Sequence, residues 1–268
     1  MERVRPKTIW RFLLPVATLW WREMVRFVRQ RHRLLGTLGQ PLLFWILLGG
    51  GLGGSFRPPG GPEGFSYAEY VYPGMIAMVL LFTAVFATIT IIDDRREGFL
   101  QAVLVAPISR SRIVCGQALG CTTLAWLQGV LFLLLAPAAG VSLTPFAAVA
   151  SAAVMFLVAF ALTSLGLVIA WRMETIQGFH AIMNLILVPI WLLSGAFFPA
   201  SGVPVWLQWI MRLDPLTYGV AALRRCLYLE NPVLAGEVPP LLPSLALTLV
   251  FGVVAFVAAA ATARRTAI

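Results

Sequence analysis

The sequence predicts an all-α integral membrane protein with six transmembrane helices, and three observations carry that prediction. Of 268 residues, 60% are hydrophobic and only 12% are charged, against roughly 45–50% and about 25% in soluble domains. Uncharged runs recur at the length of a bilayer crossing, because a hydrocarbon core of about 30 Å needs roughly 20 apolar residues per helix. The arginines gather in the segments that fall on one side of those runs, as the positive-inside rule requires. The same figures exclude a disordered tail, a nucleic-acid module and a disulfide-laced secreted domain.

Residues 1–33 form a cytoplasmic amphipathic segment. On a helix, Trp21, Met24, Val25 and Val28 share one face, while Arg22, Arg26, Arg29 and Arg33 make a second stripe about a third of a turn away. A tryptophan-bearing apolar face beside an arginine face suits a helix lying in the membrane interface, and Pro15 is expected to break or kink it. The transmembrane region, 34–263, begins with a span at 34–54, whose glycines Gly49-Gly50-Gly51 and Gly53-Gly54 permit close helix approach or an irregular outer end. The second span is 71–92.

The loop 93–112 reads Asp93-Asp94-Arg95-Arg96-Glu97-Gly98-Phe99-Leu100, then Val103-Leu104 and Pro107-Ile108-Ser109-Arg110. Leu100, Val103 and Leu104 lie on one helical face and Pro107 ends the turn, giving a short cytoplasmic helix able to pack on its own bundle or meet a partner. From Ile113 to Trp171, 59 residues carry no charge, and Pro137, Gly140 and Pro145 divide the run into a hairpin of spans at 113–136 and 146–170. The fifth span is 178–198 and the sixth 241–263, before a tail at 264–268. Between the last two spans, residues 199–240 hold Asp214 as an N-cap, Pro215 at the first helical position, and a helical pattern from Leu216 to Leu229 with Tyr218, Ala222 and Arg225 on about one face. Arg224, Arg225 and Glu230 should pair or snorkel toward water.

Six spans put both termini on one side. That side holds 16 basic and 6 acidic residues, against 4 and 5 on the other, so the termini are cytoplasmic and the chain is multi-pass in the cytoplasmic (inner) membrane. The +9 net charge thus reports topology, with membrane lipids and not nucleic acid as the partner. The first span follows thirty-odd mostly polar and amphipathic residues, so no cleavable signal peptide is expected.

Of the 20 basic residues only Lys7 is a lysine, and no Gly-Lys pair exists to end a phosphate-binding loop. The chain is therefore not expected to be an enzyme, with no catalytic residues, cofactor or metal of its own. Cys115, Cys121 and Cys226 form no Cys-x-x-Cys pair and read as small apolar fillers. His180 has span serines available but no nucleophile turn, which leaves an intramembrane protease without support. His32 and His180 do not make a haem-ligand pair. No Asp, Glu, Lys or Arg lies inside the predicted spans, against proton or sodium coupling. Trp45, Trp126 and Trp191 fall inside spans, where packing explains them. A non-transporting assembly or structural subunit stays open.

Arg96-Glu97-Gly98-Phe99-Leu100 followed by Ala106-Pro107-Ile108-Ser109-Arg110 resembles the loop of type-2 ATP-binding-cassette exporter permeases. Ser194-Gly195-Ala196-Phe197-Phe198-Pro199, Trp206-Leu207, Asp214-Pro215-Leu216-Thr217-Tyr218 and Ala222-Leu223-Arg224 resemble the segment after the fifth span of that family. The likeness covers essentially the whole chain in order. Phe99 departs from it, since a small residue such as threonine is common there.

The resemblance implies the transmembrane half of an exporter, in which two copies pair and two copies of a separate ATPase subunit, carrying ATP and Mg, bind below. Arg96, Glu97, Gly98, Phe99 and Leu100 would form the coupling helix that contacts the ATPase. Trp21, Arg22, Arg26, Arg29 and Arg33 would belong to the interfacial helix. Phe198, Pro199, Asp214, Pro215 and Tyr218 would belong to an external gate region of re-entrant or surface helices. The cargo class is a drug, lipid or glycan-like amphiphile.

Overall fold

The described residues of the computed structural model are 8–29, 31–52, 65–105 and 108–265, and they form twelve α-helices and no strand. In chain order these are α1 (Thr8–Arg29), α2 (Arg31–Leu52), α3 (Tyr67–Ala87), α4 (Thr90–Arg96), α5 (Phe99–Val105), α6 (Arg110–Leu133), α7 (Pro145–Ala170), α8 (Ile176–Trp191), α9 (Val205–Leu213), α10 (Pro215–Leu227), α11 (Pro232–Ala235) and α12 (Leu241–Arg265).

Local chemistry starts several of them. Ser66 accepts the Glu69 amide at 3.1 Å at the head of α3, and Thr175 accepts the Gly178 amide at 3.1 Å at the head of α8. Between α6 and α7 the chain turns through a short 3₁₀ segment, Ala136–Ala139, and re-enters a helix at Pro145 behind the Thr144 cap.

Five helical stretches are long and apolar enough to cross a membrane among the described residues: Tyr67–Arg96, Arg110–Leu133, Pro145–Ala170, Ile176–Ala196 and Leu241–Arg265. The sequence count is six. The remaining candidate, α2, contributes a shorter apolar stretch among the described residues, Leu38–Gly51, which lies within the expected first span at 34–54.

The core centres on α3, whose residues from Tyr70 to Leu81 are buried without interruption. It is surrounded by α2, α6, α7 and α8, with α10 and α12 closing against α7. The three tryptophans that the sequence places inside spans each donate to a backbone carbonyl: Trp45 to Ala68 at 3.2 Å, Trp126 to Ala152 at 2.8 Å and Trp191 to Gly74 at 2.9 Å. In a lipid-like interior these bonds satisfy an indole N–H that has no water to turn to.

One expectation changes here. Pro15 does not break α1, which runs from Thr8 to Arg29 as one helix. The side of α1 that packs on the bundle carries Val16, Leu19 and Glu23, buried against α6, and leaves Trp21 and Val28 exposed. The reason is steric. A Cβ on Gly116 would lie 2.8 Å from the Leu19 Cβ, and one on Gly120 would lie 2.9 Å from the Glu23 Cβ. The two glycines cut a groove into α6 that admits the backbone of α1.

Candidate functional site at the α4–α5 turn

The turn between α4 and α5 depends on Gly98, whose φ of +76° places it in the left-handed region that glycine occupies without penalty. The reversal sets α5 across the end of the bundle, with Leu100 buried at 2% exposure and Val103 half-buried. Gln101, Ala102 and Val105 are left uncovered, Val105 at 88% exposure. Of the five residues the sequence assigns to the contact, Arg96 and Glu97 are exposed, Phe99 is half-buried and Leu100 faces inward as an anchor. Pro107 lies outside the described residues.

Asp94, one turn before Gly98, has no exposure at all. An isolated buried carboxylate is costly, and two arginines of α1 compensate it. Arg22 holds both Asp94 oxygens with its two terminal nitrogens, and Arg26 reaches Asp94 Oδ1 at 3.0 Å and Asp93 at 3.9 Å. The hydrogen bond to Asp94 raises the Arg22 guanidinium above its ordinary pKa, against the opposing effect of burial. The Phe99 ring then stacks on Arg22, with Cζ 3.7 Å from the ring centroid. One cluster thus ties three helices together: α1 by its arginines, α4 by Asp94 and α5 by Phe99.

Arg95 extends the link, donating to the carbonyls of Trp171 at 3.0 Å and Met173 at 3.1 Å in the turn between α7 and α8. Arg110 donates to the Ala263 carbonyl at 3.0 Å, joining the head of α6 to the end of α12. Beside the cluster, Trp21, Arg22, Val25, Arg26, Arg29 and Glu97 line an open groove of about 530 Å³. Arg29 is exposed, and the side chain of Arg33 lies outside the described residues.

Asp94 and Arg95 are absent from the sequence-derived contact set. Their signal was an acidic pair and an arginine one turn before a glycine, facing arginines spaced i, i+4 on another helix. The pairing spans more than seventy residues and has no local trace.

At the opposite end of the bundle, α8 runs into a π-type turn, Leu192–Ala196, where Gly195 has a φ of +79°. Phe198 and Pro199 follow, both half-buried. α9 is largely exposed on its apolar side at Val205, Trp206 and Trp209. Asp214 caps α10 through Oδ1, which accepts the Leu216 amide at 2.9 Å, with Pro215 at the first position. The Tyr218 hydroxyl donates to the Arg212 carbonyl at 2.8 Å and fixes the α9–α10 corner. Asp214 is buried and its Oδ2 has no partner among the described residues; burial pushes the carboxyl up to about 7, against the bond from the Leu216 amide.

Of the two α10 arginines expected to pair or snorkel toward water, Arg224 does not reach the surface. Arg225 is half-buried and donates to the Val238 and Pro239 carbonyls at 2.6 and 2.7 Å. Arg224 is 1% exposed, because α10 is packed against α3, α7 and α12 and does not lie on the surface. His180 stacks against Phe86, with ring centroids 4.9 Å apart.

Residues 15–228 match the ABC-2 type transporter family. The chain belongs to that family. The matched stretch of this ABC-2 chain runs from Pro15 in α1 through Tyr228 after α10, so it contains the arginine cluster, the α4–α5 turn and the Asp214 corner. The chain is 28% identical over 227 residues to a putative transport permease, ycf38, of Cyanophora paradoxa, covering 83% of this chain and 77% of the relative. It is 31% identical over 202 residues to nodulation protein J of Rhizobium leguminosarum bv. trifolii, covering 75% of each. With the inner membrane transport permease YadH of Escherichia coli it shares 25% identity over 224 residues, covering 80% of this chain and 82% of that one. It is a multi-pass membrane protein and a transport permease of the ABC-2 family.

Proposed function

We propose that this chain is the membrane subunit of an ATP-driven exporter in the cytoplasmic membrane, and that a separate ATPase subunit drives it through α5. The observation that carries the reading is the Arg22–Asp94–Phe99 cluster. Force applied to α5 reaches α1 and α3–α4 together, because Phe99 rests on the arginine that neutralises Asp94. Arg95 extends that force to the α7–α8 turn. Such a joint suits a rigid-body transition of spans more than independent helix motion.

In this reading Arg96, Glu97, Gln101, Ala102 and Val105 face the ATPase, with the α1 groove beside them. Leu100 seats α5 on the bundle. The charge asymmetry of 16 basic and 6 acidic residues on the side of the termini, against 4 and 5 opposite, supports placing both termini and α5 in the cytoplasm. The helix α2 is the sixth crossing: its 22 residues extend about 33 Å at 1.5 Å per residue, and Trp45 fastens it to the head of α3. The exposed Trp21 and Val28 face of α1 meets the lipid headgroups. Two copies of the chain pair, two ATPase subunits hold ATP and Mg, and the cargo is an amphiphile of drug, lipid or glycan-like type.

The test is co-purification with a P-loop ATPase subunit, followed by Glu97→Ala and Phe99→Ala. The expected result is loss of coupled ATPase activity in both variants. If the complex and its activity survive both changes, the coupling assignment is wrong.

A further inference from the structure

At the end of the bundle opposite α5, a cavity of about 450 Å³ is enclosed by the broken end of α8, by α10 and by the Pro232–Pro239 segment. Arg224 lines it at 1% exposure. Its Nη2 donates to the Gly195 carbonyl at 3.2 Å, and its Cζ lies 4.2 Å from the centroid of the Tyr70 ring. The Gly195 carbonyl is available because the helix breaks there. One carbonyl and one ring face do not neutralise a guanidinium with five N–H donors. Its buried Nε has no partner, and Arg224 makes no ion pair with a carboxylate among the described residues. Glu237 also lines the cavity but is exposed, and the half-buried Glu69 on α3 makes no ion pair with Arg224 either.

A buried cation without a counter-ion is unstable unless something supplies the charge. The contrast with Asp94, which two arginines neutralise, identifies what is missing here: an anion. Guanidinium geometry favours a planar or tetrahedral oxyanion. The rest of the wall is mainly apolar, with Pro199, Met211, Val220 and Ala221 among the lining side chains, and the volume far exceeds that of a bare oxyanion.

We propose that this cavity binds a phosphate-type oxyanion borne on an amphiphile, with Arg224 as the anion-binding residue and Tyr70 as the platform beneath it. The site does not depend on the direction of transport or on an ATPase, so it is tested apart from both.

The experiment titrates the purified full chain in an uncharged maltoside detergent with dodecyl phosphate, with inorganic phosphate alone and with additional dodecyl maltoside, reading the thermal unfolding midpoint. Three proteins are compared: the unsubstituted chain, Arg224→Gln, and Val233→Trp, which fills the exposed mouth of the cavity and leaves Arg224 in place. Dodecyl phosphate should raise the midpoint saturably, with at least a ten-fold higher half-saturating concentration in both variants, and dodecyl maltoside should do nothing. Protection by dodecyl phosphate but not inorganic phosphate assigns the ligand to an amphiphile. Equal protection by inorganic phosphate supports the oxyanion site but overturns its amphiphilic part. If Arg224→Gln does not fold, Val233→Trp alone decides. The proposal fails if the chain and Val233→Trp respond alike, or if no phosphate compound shifts the midpoint.

Discussion

The two ends of the bundle bury opposite charges and treat them differently. At one end Asp94 is fully buried and two arginines of α1 close around it. At the other Arg224 is equally buried, and a single carbonyl and a tyrosine ring are its described partners. The first arrangement is a complete ion cluster whose members come from different helices, as the proposed coupling requires. The second is an incomplete one beside a cavity, as the proposed anion site requires. Hydrogen-bond inventory thus separates two ends that hydropathy treats alike.

The comparison breaks most readily at Asp94. Asp94→Ala leaves two half-buried arginines facing one another without their carboxylate, and should destabilise the chain by about 3–5 kcal/mol. Thermal unfolding in detergent would check this, and Asp94→Glu should recover part of the loss. A smaller effect is expected at the groove that holds α1. Gly116→Val places a branched side chain where even a Cβ would sit 2.8 Å from Leu19, and overpacking of this kind costs about 1–3 kcal/mol. The Asp94 cluster should loosen with it, detectable as faster proteolysis of α1.

How much of this was legible in the sequence differs between the ends for a physical reason. The Arg22 and Arg26 stripe and the Asp93-Asp94 pair were visible as charge patterns, and the Asp214-Pro215 cap was visible as residue chemistry. Which face of α1 would be buried was not. Trp21, Met24, Val25 and Val28 form the more apolar stripe, but in a membrane lipid is as apolar as a helix, so the small residues of the neighbour decide. Gly116 and Gly120 were the signal, and they lie on another helix. Arg224 was expected near water because charge patterning sees carboxylates and solvent, not a carbonyl released by a helix break at Gly195.

The Asp214 corner sharpens the contrast by pH. Its carboxyl is pushed up to about 7 by burial, from an ordinary 3.8, so the folded chain prefers the neutral form. The stability this contributes is fully present below 3.8 and is lost as pH rises through about 7. The unfolding midpoint of the chain should therefore fall by a few degrees across that window relative to Asp214→Asn, which keeps the cap oxygen and does not titrate. A flat difference between the two proteins would show that Oδ2 reaches water or a cation. The smallest effect belongs to Phe99→Leu, which keeps apolar bulk and removes the ring from Arg22; a cation–π contact at a partly exposed site is worth about 0.5–1 kcal/mol. Fold should survive that change while coupling to the ATPase weakens, read as reduced transport per ATP hydrolysed.

The central claim is that α5 is where the driving subunit docks, and cysteine protection measures it directly. In a chain with Cys115, Cys121 and Cys226 replaced by alanine, Val105→Cys and Val205→Cys would each be labelled with a maleimide, alone and in complex with the ATPase subunit. Both positions are open in the isolated chain, at 88% and 68% exposure, and they lie at opposite ends. Assembly should protect Val105→Cys by at least ten-fold and leave Val205→Cys unchanged. Equal labelling of Val105→Cys with and without the ATPase, in a complex that still hydrolyses ATP, would contradict the claim.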